Sequence, residues 1–270
     1  MPDTDKLFAG SIPETYDTYL VPLIFESFAA DLADRVAAPQ PGSVLETAAG
    51  SGVVTRALAP LLSRDATLVV TDLNQPMLDR AIARQEPDRR IAWRQADALA
   101  LPFDDGQFDT VFCQFGVMFF PDRVAGYREA RRVLKPGGRF LFNAWDSIEQ
   151  NDFARIVTDA LAAYFPDDPP RFLARTPHGY HDPRAIRADL EAAGFSEIEV
   201  ATIEKTSVAP TPRHPAIAYT QGTPLRNEIV ARDAGALDAA TDAAARAIAA
   251  RYGDGPVSGR IQAHVATAVS

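Results

Sequence analysis

From residue 43 onwards, short apolar runs alternate with stretches whose apolar residues recur at helical spacing. The runs with strand character are 43–47, 67–71, 91–95, 109–114 and 139–145, and the helical stretches among them are 53–62, 75–84 and 122–134. Strands that alternate with helices pair in parallel through right-handed crossovers, and helices then cover both faces of the sheet. The pattern therefore predicts an α/β fold built on one open sheet.

The segments that flank this region predict further elements. Helical spacing of apolar residues is found at 15–37, 151–165 and 183–193, and an alanine-rich stretch of high helix propensity at 231–250. Alternating positions at 196–208 predict a long strand. The tail, 259–269, alternates more weakly, and we expect it to be a last strand that runs antiparallel to 196–208.

Composition places the chain among ordinary globular proteins, with 270 residues of which 47% are apolar and 23% charged. The single cysteine, Cys113, excludes an internal disulfide and a cysteine-based metal cage. A net charge of −9 argues against nucleic acid, whose binding depends on Lys and Arg facing phosphates. No apolar run approaches the roughly 18 residues of a membrane span, and residues 1–6 are polar. We expect a cytoplasmic protein with no membrane or nucleic-acid partner.

The turn after the first predicted strand has the composition of a ligand-binding loop. It extends from Glu46 to Gly52 and has a second glycine at Gly50. Glycine lets a backbone turn sharply and approach a ligand closely. The pattern is short of the full dinucleotide fingerprint, because Ala48 stands at its first glycine and Thr55 at its last. A tight strand-to-helix turn without a ligand is the alternative interpretation.

Two acidic residues follow the next two strands, at the same predicted edge of the sheet. Asp72 ends the second strand, 20 residues beyond Gly52, where a carboxylate can accept both ribose hydroxyls of an adenosine. That position suits NAD and S-adenosylmethionine equally, and helix capping is an alternative role. Asp97 follows the third strand, where it could bind an adenine amino group. A dehydrogenase fingerprint does not require this third acid.

In their order and spacing, these motifs resemble those of the class I S-adenosylmethionine-dependent methyltransferases, in particular the ubiquinone/menaquinone-biosynthesis group. The matching segments are Glu46 to Gly52, Thr71-Asp72-Leu73-Asn74 with Met77, Ala96-Asp97-Ala98, and Arg132-Val133-Leu134-Lys135-Pro136-Gly137-Gly138. The resemblance extends from about residue 43 to residue 142 and is weaker at 183–208. It implies a Rossmann-like seven-stranded sheet of order 3-2-1-4-5-7-6, with an antiparallel strand 7, helices on both faces and a helical cap.

The same resemblance implies a division of the chain. Residues 1–40 would form an N-terminal helical cap segment, and residues 41–208 with 256–270 the Rossmann-like cofactor-binding domain. Residues 209–255 would be a helical insertion between strands 6 and 7, acting as a lid or as a dimer element.

The resemblance also implies S-adenosyl-L-methionine as cofactor, with S-adenosyl-L-homocysteine as product. The implied cofactor contacts are Glu46, Ala48, Ala49 and Gly50 at the methionine end, Asp72 at the ribose, Leu73, Met77, Asp97 and Ala98 at the adenine, Gln114 and Phe115 near the sulfonium, and Tyr19. A small-molecule acceptor is expected, and the protein is expected to be a monomer or a homodimer. Nothing in the sequence predicts a metal site.

Candidates for the acceptor side are less specific. His178 and His181 could supply a general base, since histidine titrates near neutral pH, although both could equally be turn residues in a proline-rich loop. Met118, Trp145 and Tyr180 are candidate acceptor contacts, and Asn143 and Arg175 are unranked further candidates. Two other functions stay open at this point. One is an NAD(P)-dependent oxidoreductase, and the other is a non-catalytic regulator that binds the cofactor.

Overall fold

A computed structural model describes Asp5, Gly10 and residues 12–270. The strands are β1 (Ser43–Glu46), β2 (Thr67–Asp72), β3 (Ile91–Gln95), β4 (Phe108–Gln114), β5 (Leu134–Trp145), β6 (Ser196–Ala209) and β7 (Val257–Val269). The helices are α1 (Ile12–Thr15), α2 (Glu26–Ala37), α3 (Val53–Leu58), α4 (Gln75–Arg84), α5 (Arg123–Val133), α6 (Asp152–Tyr164), α7 (Phe172–Arg175), α8 (Pro183–Ala192), α9 (Arg213–Gln221), α10 (Leu225–Arg232) and α11 (Leu237–Tyr252). A π-helix spans Tyr16–Phe25, and 3₁₀ turns span Val117–Phe119 and Ile148–Gln150. Apart from Asp5, the polar start of the chain lies outside the described residues, as does part of the predicted cap segment.

The seven strands form one sheet in the order β3-β2-β1-β4-β5-β7-β6, which confirms the predicted order. Strands β1 to β5 pair in parallel, and β7 runs antiparallel to β5. Parallel strands place their carboxyl ends at one edge of the sheet. The turns that follow β1, β2, β3 and β4 therefore share that edge, where ligands bind in open α/β sheets.

One face of this sheet packs against α2 and α3. Buried residues of β1, β4 and β5, among them Val44, Phe112 and Leu141, form a core cluster with Leu32 of α2 and Leu58 of α3. These strands are short continuous apolar runs because both faces of a parallel sheet are covered. The cluster fixes the strand ends from which the candidate site is built.

Several predicted elements differ at their ends for local reasons. The helix expected at 53–62 ends at Leu58 because Pro60 has no N–H to donate to the Arg56 carbonyl. The helix expected at 231–250 begins later, at Leu237, and residues 231–232 are the end of the preceding helix α10. Asp233 Oδ1 accepts a hydrogen bond from the Gly235 backbone N–H at 2.8 Å, and this turn separates α10 from α11. The helical stretch 15–37 begins as a π-helix that contains Pro22, which has no N–H to donate.

The chain divides into two compact units. One comprises Ser27–Trp145, Tyr180–Ile203 and Ala263–Ser270, and it contains β1 to β5. The other comprises Met1–Glu26, Asp146–Gly179 and Glu204–Gln262. The division into 1–40, 41–208 with 256–270, and 209–255 stays a prediction. In the part of the chain that the structure describes, no helix has both the length and the apolar character needed to cross a bilayer.

Candidate active site

The turn between β1 and α3 is held by the neighbouring strands. Thr47 N–H donates to the Phe112 carbonyl and Ala49 N–H to the Thr71 carbonyl, both at 2.9 Å. Gly52 has φ +75°, and a Cβ there would lie 2.9 Å from the Cβ of Ala81 on α4. Glycine is therefore required at position 52 both for its backbone conformation and for the close approach of α4.

Ala48, which stands where the related motif has its first glycine, also adopts a left-handed backbone, with φ +51°. This conformation is costly for a residue with a Cβ. Gly116, after β4, makes room for that Cβ. A Cβ on Gly116 would lie 2.6 Å from Ala48 Cβ and 2.6 Å from Cys113 Sγ. Ala48 and Gly116 thus form a complementary pair: the methyl group of Ala48 fits only because residue 116 has no side chain.

Asp72 at the end of β2 ties the two turns together. Its Oδ2 accepts a hydrogen bond from the Gly50 N–H at 2.8 Å, and its Oδ1 accepts from the Asn74 N–H at 2.7 Å. The side chain is buried, and this burial raises the pKa of the carboxyl despite both bonds. The Asn74 side chain and the Leu73 N–H also lower this pKa by hydrogen bonding. A carboxylate oxygen accepts more than one hydrogen bond, as contacts with a vicinal diol require.

Glu46 lies beneath the same turn and is fully buried. Thr55 Oγ1 donates to Glu46 Oε2, which explains why threonine occupies the position of the last glycine in the fingerprint. Burial raises the pKa of Glu46 to about 8, with a further contribution from the charge of Asp72, while the Thr55 bond and the charge of Arg56 oppose the shift. Glu46 therefore holds α3 to β1 and carries a proton near neutral pH.

The predicted adenine contacts lie after β2 and β3. Met77 is buried in α4, whereas Leu73 is 45% exposed. Asp97 is exposed, and its Oδ1 accepts from the Leu99 N–H at 2.9 Å, in a turn that also contains the half-buried Ala98. An exposed apolar side chain beside an exposed carboxylate fits an adenine ring with its exocyclic amine.

Aromatic rings meet at the carboxyl ends of β4 and β5. Phe115 and Trp145 are stacked, with ring centroids 3.8 Å apart and planes 8° apart. Phe28 of α2 contacts both rings edge-on. Phe115 has φ +51°, a genuine outlier for a bulky residue, and this backbone turn ends β4. The sequence analysis named Phe115 and Trp145 as candidate site residues. It did not single out Phe28, which was only one of the apolar positions of a predicted helix.

Buried polar atoms without partners mark the same region. Among the described residues, Gln114 Oε1 and both side-chain polar atoms of Asn143 have no hydrogen-bond partner, and neither has Ser51 Oγ in the β1–α3 turn. Such atoms are rare because their desolvation is not compensated, so each calls for an explanation. The sequence left Asn143 unranked and gave no sign of Ser51, since serine is ordinary in a turn.

The histidine candidates have different surroundings. His178 is buried, and its Nδ1 is 2.8 Å from the Asp146 carbonyl oxygen. His181 is exposed, and its carbonyl accepts a hydrogen bond from Nε2 of the buried His264 at 2.8 Å. His178 and Tyr19 belong to the second unit described above, and Tyr19 contacts the ring of His214 there.

The remaining acceptor candidates are buried or paired. Met118 lies buried in the 3₁₀ turn after β4. The hydroxyl of Tyr180 donates to Asp189 Oδ2 at 2.8 Å. Arg175 pairs with Asp5 and with Glu228, each at 2.7 Å. Arg175 is thus engaged by two carboxylates, which gives it a structural role.

Known proteins that are similar to this chain include methyltransferases. A family model described as a methyltransferase domain matches residues 45–142. The ubiquinone/menaquinone biosynthesis C-methyltransferase of Caulobacter vibrioides is 33% identical over 195 residues, which cover 61% of this chain and 73% of that protein. The YcgJ protein of Bacillus subtilis has a TM-score of 0.58 at 19% identity, covering 90% of this chain and 98% of that one.

A third comparison includes bound ligands. Phosphoethanolamine N-methyltransferase 2 of Haemonchus contortus, in complex with phosphomonomethylethanolamine and S-adenosylhomocysteine, has a TM-score of 0.53 at 17% identity. The match covers 98% of this chain and 61% of that one. The relatives thus decide between the two cofactor classes that the glycine turn and Asp72 left open, in favour of S-adenosylmethionine. The chain belongs to the class I S-adenosylmethionine-dependent methyltransferases, and its methyl acceptor is a small molecule.

Proposed function

We propose that the turns after β1, β2, β3 and β4 hold the cofactor, and that the acceptor is a planar small molecule with a hydroxyl group. The observation that supports this cofactor site best is the hydrogen bonding of Asp72. Two backbone N–H groups hold its buried carboxyl, and its remaining lone pairs suit the ribose hydroxyls. Asp97, after β3, would take the adenine amino group. Glu46, at the end of β1, would take the amino group at the methionine end, whose positive charge would lower the pKa of the Glu46 carboxyl from its value in the cofactor-free chain.

When bound, S-adenosylmethionine supplies an electrophilic methyl group on a sulfonium. The protein then has to align the acceptor with that methyl group and keep water away. Phe115 and Trp145 support this role, because these buried, stacked rings exclude water from the strand ends. A planar acceptor is also in keeping with the Caulobacter relative, whose name refers to ubiquinone and menaquinone biosynthesis.

His178 is the candidate general base of this proposal, with His181 as the alternative. The Asp146 carbonyl, 2.8 Å from Nδ1 of His178, can only accept a hydrogen bond, and this contact orients the imidazole ring. The measurement is methyl transfer from labelled cofactor to 1-naphthol. His178→Gln should lower kcat without weakening cofactor binding, and an unchanged kcat would remove His178 from this role.

The net charge of the chain bears on whether nucleic acid can be a partner. A surface with a net charge of −9 repels phosphate backbones, so we propose that nucleic acid is not a substrate. We further propose that the protein is a monomer or a homodimer. Sedimentation equilibrium tests the second statement, and a larger assembly would contradict it.

Calorimetric titration with S-adenosylhomocysteine tests the cofactor site. Asp72→Asn keeps the shape of the side chain but replaces one acceptor oxygen with a donor, so we expect affinity to fall at least tenfold. Asp65→Asn is the matched control, because Asp65 is exposed at the opposite end of β2 and should leave affinity unchanged. Equal affinity in both variants would contradict the assignment of Asp72. A parallel titration with NADH should give no binding signal.

A further inference from the structure

Asn143 is a fully buried polar residue whose side-chain amide has no hydrogen-bond partner among the described residues. Both Nδ2 and Oδ1 lack a hydrogen bond, and so does Oε1 of Gln114. The two residues are direct neighbours in the register between β4 and β5. A buried amide that makes no hydrogen bond lowers stability, because the water that it loses is not replaced. An apolar residue would serve the core better at this position.

The surroundings of Asn143 indicate what the amide is for. Side chains alternate between the faces of a strand, so Asn143 shares its face with Leu141 and Trp145. Leu141 belongs to the core cluster that includes α2, and Trp145 stacks on Phe115. The Phe115 N–H donates to the backbone carbonyl of Asn143 at 3.2 Å, which places Asn143 directly beside the strained residue that ends β4.

We propose that Asn143 and Gln114 form a polar pair that recognises and orients the hydroxyl group of a planar acceptor bound next to the buried Phe115–Trp145 pair. This inference rests on the proposed function. The Asn143 Nδ2–H₂ group donates to the acceptor oxygen, while Oδ1 of Asn143 or Oε1 of Gln114 accepts the one hydrogen bond that its O–H can donate. Small-molecule sites are usually lined by apolar side chains, with a few polar groups that fix the orientation of the ligand. Asn143 is thus a positioning and specificity residue.

A structural role is the competing explanation. An internal water molecule could satisfy the two amides, and Asn143 would then stabilise the fold without contacting the acceptor. The two roles differ in what a shape-conserving apolar substitution does. If Asn143 serves the acceptor, Asn143→Leu removes an uncompensated polar group and should leave the melting temperature unchanged or raised. If it holds a structural water, the same change should lower the melting temperature.

The chain offers a matched control for this substitution in Asn151. That residue is also buried, but its amide is fully engaged. Nδ2 donates to the Asp146, Ser147 and Gln262 carbonyls, and Oδ1 accepts from the Gln262 N–H. Asn151→Leu should therefore melt at a lower temperature than the unsubstituted protein, which shows the effect of the same change at an asparagine of purely structural role.

The deciding experiment measures the binding of 1-naphthol and of naphthalene to the protein saturated with S-adenosylhomocysteine, by quenching of tryptophan fluorescence. The two probes differ only in the hydroxyl group. We expect the unsubstituted protein to bind 1-naphthol at least tenfold more tightly, and Asn143→Leu to reduce this ratio to about twofold or less. Gln114→Met should reduce it in part, since Asn143 still donates. Affinity for S-adenosylhomocysteine, measured first, should change less than twofold in Asn143→Leu.

Each other outcome has a definite meaning. A ratio that survives in Asn143→Leu, or an unsubstituted protein that does not distinguish the probes, overturns the proposed role of the polar pair. Loss of the ratio supports the pair even where the variant melts lower, because the binding is measured on folded, cofactor-saturated protein. If the unsubstituted protein does not bind S-adenosylhomocysteine, the proposed cofactor site has failed, and that result is distinct from failure of the polar pair.

Discussion

At the residue scale, the carboxyl of Glu46 shows how burial couples the site to pH. Its pKa of about 8 lies above the usual value of 4.5 because the charged form would lose its water. The folded chain therefore holds this proton more tightly than the unfolded chain. The stability that it contributes is complete below pH 4.5 and is lost as the pH rises through about 8.

Glu46→Gln should remove this dependence, because a neutral amide keeps the shape of the side chain and does not titrate. We expect the melting temperature of the unsubstituted protein to fall more steeply between pH 6 and pH 9 than that of Glu46→Gln. Thermal melts at constant ionic strength measure both. Glu86→Gln, a change at an exposed carboxyl, should follow the unsubstituted protein, and parallel slopes in all three proteins would contradict the prediction.

Ala48 and Gly116 give a second prediction at this scale. Gly116→Ala places a methyl group 2.6 Å from Ala48 Cβ and Cys113 Sγ, and overpacking of this kind costs about 1–3 kcal/mol. Ala48→Gly removes one of the two clashes, so Gly116→Ala should cost less in that background, by roughly 0.5–1 kcal/mol. Urea unfolding of the four proteins of this double-mutant cycle measures the difference. Purely additive effects would show that the two positions are independent.

At the scale of elements, α5 and α8 are joined by buried hydroxyl groups. Tyr127 OH donates to Tyr180 OH at 3.3 Å, which donates to Asp189, and Arg123 lies over the Tyr180 ring with 4.1 Å between guanidinium carbon and ring centroid. Burial raises the pKa of both tyrosines, so these hydroxyls stay protonated in the working range of pH. The contacts indicate that Tyr180 stabilises the packing of the two helices.

Tyr180→Phe should therefore lower the free energy of unfolding by about 1–3 kcal/mol, because it leaves the fully buried Tyr127 hydroxyl without its partner. Urea unfolding measures this loss, with Tyr164→Phe as the control at an exposed tyrosine. The binding of 1-naphthol should not change. A weaker affinity for 1-naphthol with unaltered stability would instead place Tyr180 in the acceptor site, as the sequence analysis suggested.

The elements themselves could largely be predicted from sequence, because each follows from local periodicity and turn residues. β3 and α4 have the predicted bounds, whereas the end of α3 depends on Pro60, the start of α11 on Asp233, and β5 begins five residues before the predicted 139. The acidic residues of the site were also predictable, since their positions at strand ends follow from parallel pairing. The stacking of Phe115 on Trp145 was not, because it depends on a left-handed backbone that no motif specifies. The unpaired amide of Asn143 could not be predicted either, because tertiary packing decides which hydrogen-bond partners a side chain has.

At the scale of the whole molecule, the predicted cofactor contacts other than Tyr19 lie between Glu46 and Phe115, within one compact unit. A ligand that binds only the folded state stabilises it by RT ln(1 + [L]/Kd), which is about 2.7 kcal/mol at a ligand concentration of one hundred times Kd. Amides that exchange through opening of the binding turns should be slowed most, because the ligand has to leave before those turns open.

Hydrogen exchange with and without S-adenosylhomocysteine should therefore show protection concentrated at 46–52, 72–77 and 96–99. These are the turns after β1, β2 and β3, which are separate in sequence and adjacent only through the order of the sheet. Helix α11 lies in the other unit and supplies the internal control, since its amides should exchange at the same rate in both samples. Protection at one of the three turns alone would contradict a shared site, because a cofactor that spans β1, β2 and β3 has to restrain all three turns at once.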